Sequence, residues 1–232
     1  MLSALQTTIV EIVSSVADVD GFALAGGGAM ILLGLVDRKT RDLDFFARES
    51  AAVNRVIPAV EAALQSAGLH VGRQIDQPGF VRLEVSREAE ACEVDLGYDA
   101  RLWPVRRHEI GAVISTEELA ADKTLALLGR AAARDFVDVQ ALAAKFGEER
   151  LCQLAAQKDL GFRREELANA LTKIGRLDRD LFELDDAGYD AVKRWAAWWE
   201  RTLLQQVRAL GDLDRGGEPE RGNELGYDPP AL

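Results

Sequence analysis

Three consecutive glycines, Gly26 to Gly28, interrupt the longest apolar stretch of the chain, which runs from Phe22 to Val36. The residues before them, Phe22 to Ala25, are typical of a short buried strand, and the residues after them, Ala29 to Leu35, predict a buried helix. The glycines therefore predict a tight turn between strand and helix. Such a turn presents backbone N–H groups to an anion, but tight packing of the two elements favours the same residues.

Two aspartates, Asp42 and Asp44, follow this turn in a segment that predicts the next strand. Leu43 separates them, and two phenylalanines follow. Because side chains alternate between the two faces of a strand, both carboxylates are predicted to lie on one face. Adjacent like charges favour a bound cation, and Mg²⁺ prefers carboxylate oxygens together with substrate phosphates. An exposed strand end is the alternative explanation for an isolated Asp-x-Asp pattern.

A third carboxylate is predicted on a later hairpin. Phe80 to Val85 and Ala91 to Leu96 have the pattern of two antiparallel strands. In the second of these strands, Glu93 and Asp95 face away from the apolar side chains that alternate with them. We expect Asp95 to complete a site with Asp42 and Asp44, either by binding metal or by taking a proton from a substrate. Glu93, on the same face, is the alternative third carboxylate.

Composition limits the class of protein. The 232 residues are 48% hydrophobic, which is enough for a substantial core, and the net charge of −11 argues against a general basic surface for nucleic acid. The longest apolar stretch is interrupted by glycines and is shorter than the roughly 20 residues that a membrane-spanning helix needs. The first residues lack a positively charged leader, so the cytoplasm is the expected location. Cys92 and Cys152 are far apart in sequence and are expected to be buried apolar residues.

The order of elements predicts an α/β (α+β) fold, with a mixed sheet and flanking helices followed by a helical C-terminal half. Residues 1–112 are expected to form the α/β domain, 113–215 the helical domain and 216–232 a flexible tail. The boundary is expected near Gly111 to Ser115, because Ser115 to Glu118 has the sequence of a helix capping box. Gly147 is the predicted end of a helix that starts at Ala132.

Several motifs, taken together, resemble the AbiEii/AbiGii-type toxin nucleotidyltransferases of the DNA polymerase beta superfamily, which include the MenT-like toxins. The resemblance covers roughly residues 20 to 146 and implies a nucleotidyltransferase-type sheet. The segments that carry it are Gly27-Gly28-Ala29, Arg38-Lys39-Thr40-Arg41-Asp42-Leu43-Asp44-Phe45-Phe46, Lys123 and Arg134-Asp135-Phe136-Val137-Asp138. One departure is Ala29, which stands where many relatives carry Ser or Thr and leaves a hydroxyl contact to the triphosphate missing.

The resemblance also implies roles for individual residues. Asp42 and Asp44 would bind catalytic Mg²⁺ or Mn²⁺, with Asp95 completing the catalytic and metal site. The residues expected to contact nucleotide or acceptor are Gly27, Gly28, Arg38, Arg41, Lys123 and Asp138. For Arg38 and Arg41, a solvated position beside the turn is the alternative. For Asp135 and Asp138, which share a helix face, the alternative is a structural ion pair with Arg130 or Arg134.

The predicted function is therefore metal-dependent transfer of a nucleoside monophosphate from a nucleoside triphosphate to an acceptor hydroxyl. By resemblance, the acceptor is a tRNA 3′ end or a protein, and the protein is the toxin of a toxin–antitoxin pair with an antitoxin as a possible partner. Two alternatives remain open. One is transfer to a small molecule such as an aminoglycoside, which an acidic surface suits, and the other is a catalytically silent module that binds a nucleotide or a partner. No membrane association is expected.

Overall fold

A computed structural model describes residues 1–17 and 21–215. Two expectations fall outside these ranges, in whole or in part. The tail from Gly216 to Leu232 is not described. Residues 18–20 are not described either, and they belong to the range Asp18 to Gly21 in which the sequence pattern predicts the end of a first helix. All structural statements below concern the described residues.

A mixed seven-stranded sheet forms the N-terminal half. Its strands are β1 (Ala23–Ala25), β2 (Asp42–Ala47), β3 (His70–Gln77), β4 (Phe80–Arg87), β5 (Glu90–Tyr98), β6 (Arg106–His108) and β7 (Gly111–Val113). Their order across the sheet is β3-β4-β5-β2-β1-β7-β6. The pairs β2–β5 and β1–β7 are parallel, and the remaining pairs are antiparallel. This order puts the Asp-x-Asp strand β2 next to the strand that carries Asp95.

Eight α-helices accompany the sheet in the described chain. They are α1 (Ala4–Ala17), α2 (Gly26–Leu32), α3 (Ser50–Ser66), α4 (Thr116–Gly129), α5 (Ala133–Phe146), α6 (Glu148–Lys158), α7 (Arg164–Thr172) and α8 (Asp186–Arg215). Two short 3₁₀ helices, Lys173–Arg176 and Arg179–Phe182, lie between α7 and α8. Helices α1 and α3 pack on each other and on the sheet, while α4 connects α2 to the helical half.

The core side of the sheet follows from simple alternation. Leu43, Phe45 and Ala47 of β2 are buried, and the residues between them are partly exposed. In β5, Cys92, Val94 and Leu96 are likewise buried. The apolar face of α1 covers this side of the sheet with side chains that include Leu5, Ile9 and Val13. The opposite face of β2 is left for its two aspartates.

The structure confirms the predicted fold class, a mixed sheet with flanking helices. The hairpin of β4 and β5 is also confirmed, as is the cap at Ser115, whose hydroxyl accepts a hydrogen bond from the Glu118 backbone N–H at 3.1 Å. The division at residues 112 and 113 remains a prediction, and the last strand β7 ends at Val113 while α4 begins at Thr116.

One local prediction was wrong, and three strands were missed. The helix expected to start at Ala29, after the glycines, begins at Gly26 and contains all three of them. Strands β3, β6 and β7 were not expected, because β3 is an edge strand with mostly exposed polar residues and the other two have three residues each. Both cysteines are buried, as expected. Among the described helices, none combines the length and apolarity needed to cross a membrane.

Candidate functional site

A cleft of about 380 Å³ lies over the aspartate face of β2 and is closed on its other side by α4 and the start of α5. Asp42 and Asp44 form its floor, together with Gly26 and Gly27 from the start of α2. The cations that line it are Arg38, Lys123, Arg130, Arg134 and, at its far end, Lys158. Residues separated by about 100 positions in sequence therefore meet at one place.

Asp42 is held by its neighbours on both oxygens. The Thr40 hydroxyl donates to Asp42 Oδ1 at 2.6 Å, and Arg134 Nη1 lies 3.4 Å from Asp42 Oδ2. Burial by itself raises the pKa of Asp42, but the Thr40 hydrogen bond and the charge of Arg134 outweigh it, so the pKa lies below its ordinary value. Asp42 is therefore an ionised carboxylate at neutral pH.

Asp44 has the opposite surroundings. No hydrogen bond or ion pair to Asp44 is found among the residues that the structure describes. Burial, followed by the like charges of Asp42 and Asp95, raises the pKa of Asp44 to about 6. A cation bound here would remove this repulsion, so the surroundings of Asp44 favour a ligand that the chain itself does not supply.

The three glycines have different environments. Gly26 has a φ of +57°, and a Cβ atom on it would lie 1.8 Å from Asp44 Oδ2, so only glycine admits the aspartate there. A Cβ atom on Gly27 would lie 3.0 Å from Thr40 Oγ1, at the edge of the cleft. On Gly28 it would lie 2.9 Å from Leu43 Cδ2, in the core. Gly26 and Gly27 line the cleft, whereas Gly28 serves close packing.

Arg38, Lys123 and Arg134 form the cationic wall of the cleft. Two of them, Arg38 and Lys123, are held in position by a buried carboxylate, Asp138 of α5. Arg38 Nε and Nη2 each donate to it at 2.9 Å, and Lys123 Nζ lies 2.8 Å from Asp138 Oδ2. The Asp138 side chain is fully buried, and that of Lys123 is 8% exposed. Burial alone would raise the pKa of Asp138, but the charges of Lys123 and Arg38 have the larger effect. The pKa of Asp138 therefore lies below its ordinary value. Asp138 therefore positions two cations and lies behind them.

Asp135, one turn earlier on the same helix, is a structural residue. Both of its oxygens accept from Arg130 at 2.8 Å, and Oδ2 also accepts from the Ala132 backbone N–H at 3.0 Å. The alternative predicted for the two helix aspartates, an ion pair with Arg130 or Arg134, therefore holds for Asp135, whereas Asp138 pairs with Arg38 and Lys123. Asp135 caps α5 and holds Arg130 beside the cleft.

Asp95 is directly opposite Asp44 in the parallel pairing of β2 with β5. Both of its oxygens are engaged by Arg82 of β4, at 2.7 Å from Nε and 2.6 Å from Nη2. Glu93, the alternative third carboxylate, is half exposed and lies 3.4 Å from Arg82 Nη1. Arg82 has no signal in the sequence, because only the cross-strand register places it beside Asp95.

The donor set suits a hard divalent cation that is shared with a substrate. Asp42 and Asp44 supply carboxylate oxygens, and Asp44 has no partner among the described residues. Within the same part of the chain, no group of three His, Cys, Asp or Glu side chains is arranged to hold a metal ion by itself. Phosphate oxygens of a substrate would then supply the remaining ligands, which is the usual binding mode of Mg²⁺.

The other end of the cleft is an acidic network around Lys158, the last residue of α6. Its Nζ lies 2.7 Å from Asp99 Oδ2 and 2.7 Å from Glu118 Oε1, and it also pairs with Asp122. Burial raises the pKa of Asp122 to about 6 even though Lys158 opposes the shift. Sequence reasoning missed this network, because its members come from three separate segments with no shared spacing.

Of the predicted site residues, four do not line the cleft: Gly28, Arg41, Asp95 and Asp138. Arg41 lines a neighbouring depression of about 510 Å³ together with Lys39 and the second 3₁₀ helix, while Arg38 and Arg134 border both cavities. Ala29 is fully buried in the core. The hydroxyl near the glycine turn comes instead from Thr40, which already binds Asp42.

Comparisons with known proteins agree with this geometry. A family model described as "Nucleotidyl transferase AbiEii toxin, Type IV TA system" matches residues 9–215. The crystal structure of JHP933 from Helicobacter pylori is 21% identical with a TM-score of 0.54, and the match covers 92% of this chain and 100% of that one. A candidate nucleotidyltransferase from H. pylori is 20% identical with a TM-score of 0.50, over 88% and 97% of the two chains. At these identities the structures support the fold alone. No curated protein matches the chain.

Proposed function

Because the chain belongs to the AbiEii nucleotidyl transferase toxin family, we propose that it transfers a nucleoside monophosphate from a nucleoside triphosphate to an acceptor hydroxyl and releases pyrophosphate. The family match confirms the resemblance that the sequence motifs carry. The observation that supports the proposal most directly is the cleft itself. In it, Asp42 and the unpartnered Asp44 face the cations Lys123, Arg38 and Arg134.

In this proposal, Asp42 and Asp44 hold one or two divalent ions, Mg²⁺ or Mn²⁺, and Asp95 completes the group. When bound, the metal supplies positive charge that stabilises the transferring phosphoryl group and the leaving oxygen. Asp95 is oriented by Arg82 and lies opposite Asp44 in the strand register, and in this proposal it takes the proton of the acceptor hydroxyl.

The cations of the opposite wall bind the phosphates. Lys123 and Arg38 are oriented by Asp138, so little conformational freedom is lost when a triphosphate binds. Arg134 is 48% exposed and only 3.4 Å from Asp42, which leaves it free to turn towards a phosphate once a metal ion takes over the charge of that carboxylate. Gly27 lines the cleft beside them, whereas Gly28 packs in the core and Arg41 borders the neighbouring depression.

The physiological role that the family suggests is a toxin in the cytoplasm whose action is opposed by an antitoxin. As acceptors we propose a tRNA 3′ end or a protein hydroxyl. The α/β domain of residues 1–112 would carry the metal site, and the helical domain of residues 113–215 would supply Lys123, Arg134 and Asp138. The active site would then lie where the two meet.

Label transfer tests this proposal. Purified protein is incubated with Mg²⁺ or Mn²⁺ and each α-labelled nucleoside triphosphate, and total tRNA or a protein extract is supplied as acceptor. We expect label in one acceptor fraction with wild type and none with Asp42→Ala or Asp44→Ala. Asp190→Ala, an exposed aspartate on α8, is the matched control and should retain full activity. Absence of transfer to every acceptor, with binding of triphosphate intact, would favour the silent module instead.

A small cationic acceptor is the second candidate, and one observation favours it. Asp99 and Asp122 line the cleft at the end opposite the cationic wall, and Lys158 is the cation that the structure pairs with both. An amine-bearing acceptor such as an aminoglycoside would find negative charge there. Adding aminoglycosides to the same assay, with Asp122→Asn beside wild type, distinguishes the two. Transfer to the drug that Asp122→Asn abolishes would support this candidate over a tRNA or protein acceptor.

A further inference from the structure

Two aromatic rings lie beside the metal-site carboxylates on the same face of the sheet. In the register of the strands, Asp44, Asp95 and Arg82 form one row across β2, β5 and β4. The next row on this face contains Phe46, Gly97 and Phe80, in the same strand order. Residues two apart on a strand are separated by about 7 Å. The rings are therefore one pleat away from the carboxylates.

Gly97 creates the space that these rings occupy. A Cβ atom on Gly97 would lie 2.9 Å from Phe46 Cε1 and 3.3 Å from Phe80 Cδ2. Both rings consequently lie over the bare backbone between them. Each ring remains partly exposed. The sheet thus presents an aromatic surface at a place where any other residue would push the two rings away.

The position of Phe46 is fixed from behind. Its side chain packs against the core, and its backbone carbonyl accepts a hydrogen bond from Arg101, which also donates to the Gly21 carbonyl at 3.1 Å. Phe46 lines the same cleft as Asp44 and Lys123. Phe80 is not part of that cleft lining but lies across Gly97 in the same row, so a base bound beside Phe46 would approach both rings.

We propose that Phe46 and Phe80, separated by Gly97, form a stacking platform for the base of the donor nucleoside triphosphate. The proposal rests on the proposed function, because it takes the phosphates to bind beside Asp42 and Asp44. Every base has a π face, so the platform raises the affinity for nucleotides without selecting one base. Selection among bases would then depend on polar groups elsewhere in the cleft.

Calorimetric titration of the full chain in the presence of Mg²⁺ tests the platform, with ATP and inorganic tripolyphosphate as the two ligands. Stacking on one aromatic side chain is worth about 1–3 kcal/mol per base, which is roughly 5- to 150-fold in affinity. Phe80→Leu keeps part of the apolar contact, so we expect it to weaken ATP binding about five- to tenfold. Its effect on tripolyphosphate should stay within about twofold, because that ligand has no base. Phe80→Tyr retains the π face and should bind ATP like wild type.

Two further variants complete the experiment. Gly97→Ala displaces both rings without removing them and should also weaken ATP selectively. Trp198→Leu removes a ring that is 47% exposed on α8 and serves as the matched control, with no expected change for either ligand. If Phe80→Leu and Gly97→Ala leave ATP affinity unchanged, or weaken both ligands equally, the platform is overturned and the proposed function stands.

The remaining outcomes separate the two proposals. Wild type that binds neither ATP nor tripolyphosphate would contradict the proposed function itself. The terminal base of an RNA acceptor is the other nucleobase that could bind to the rings. Titration of a short single-stranded oligoribonucleotide, in parallel with one that lacks its terminal base, tests this alternative. If the Phe80 variant weakens binding of the intact oligoribonucleotide and leaves ATP unaffected, the rings belong to the acceptor and the assignment to the donor base is overturned.

Discussion

Two aspartates beside the same cleft, Asp44 on its floor and the buried Asp138 behind its cations, have opposite environments. Asp138 accepts from Arg38 and lies against Lys123, and its pKa is lowered by these charges in spite of burial. Asp44 has no such partner among the described residues, and burial together with its acidic neighbours raises its pKa to about 6. An aspartate side chain therefore stabilises the metal-free protein at position 138 and destabilises it at position 44.

The difference separates structure from function. A carboxylate that the fold satisfies with its own cations contributes to the native state whether or not a ligand is present. A carboxylate that the fold leaves with like charges stabilises a complex with a cation, and it weakens the metal-free protein. Variants at the two positions should therefore change stability in opposite directions.

The largest effect is expected for Asp138→Ala. The change leaves Arg38 and Lys123 near an apolar interior without a counter-charge, which typically costs about 3–5 kcal/mol. Urea denaturation of the metal-free protein measures this loss against Asp190→Ala, which should change the free energy of unfolding by less than about 0.5 kcal/mol. A loss below about 1 kcal/mol for Asp138→Ala would mean that the two cations find water or other partners.

Gly26→Ala is expected to cost about 2–3 kcal/mol, because the methyl group collides with Asp44 and the residue has a positive φ. In an Asp44→Ala background the collision disappears, and only the backbone strain of about 1 kcal/mol should remain. A double-mutant cycle by urea denaturation measures the coupling between the two positions. Additive losses would show that Asp44 does not lie against this glycine.

Asp44→Asn should stabilise the metal-free protein at pH 7.5 by about 1–2 kcal/mol, because it removes a charge that is buried among like charges. The same variant should lose most transfer activity and the stabilisation that wild type gains from Mn²⁺. Thermal unfolding with and without Mn²⁺ reads out both properties. Lower stability of the metal-free variant, relative to wild type, would contradict the role of Asp44 as an unsatisfied carboxylate.

The smallest effect concerns pH. The pKa of Asp44 in the native state is about 6, above the ordinary value of 3.8. Between these two pH values, the native protein holds a proton on Asp44 that the unfolded chain has released. The stability of the metal-free protein should therefore fall as pH rises from about 4 to 7 and level off above that range. Asp122, with its pKa raised to about 6, adds to the same slope. Unfolding free energies at several pH values should show a shallower slope for Asp44→Asn, and an unchanged slope would exclude Asp44 as the titrating group.

The parts of the site that the sequence predicts are the local ones. Asp42 and Asp44 share a face because strands alternate, and Asp95 faces away from its apolar neighbours for the same reason. The family resemblance points to Lys123 and Asp138, but only the structure shows that Asp138 holds Lys123 in place. The glycine motif was predicted as a phosphate turn, and the structure assigns different tasks to its three members.

The parts that escaped prediction depend on distant contacts. Arg82 meets Asp95 through strand register, and Lys158 meets Asp122 through helix packing, and neither has a spacing that a sequence pattern reveals. Strand β3 was missed because an edge strand buries few side chains and shows little alternation. Tertiary packing, which local periodicity does not record, determines all three features.

The pairing of Arg38 with Asp138, 100 residues apart, has a consequence for how the protein is made. A growing chain carries Asp42, Asp44 and Asp95 well before α5 has left the ribosome. Until then Asp42 lacks Arg134 and Arg38 lacks Asp138, so the wall of the cleft that would hold a triphosphate is incomplete. Under the proposed function, transfer would therefore begin only after α5 has been synthesised, when more than half of the chain is complete.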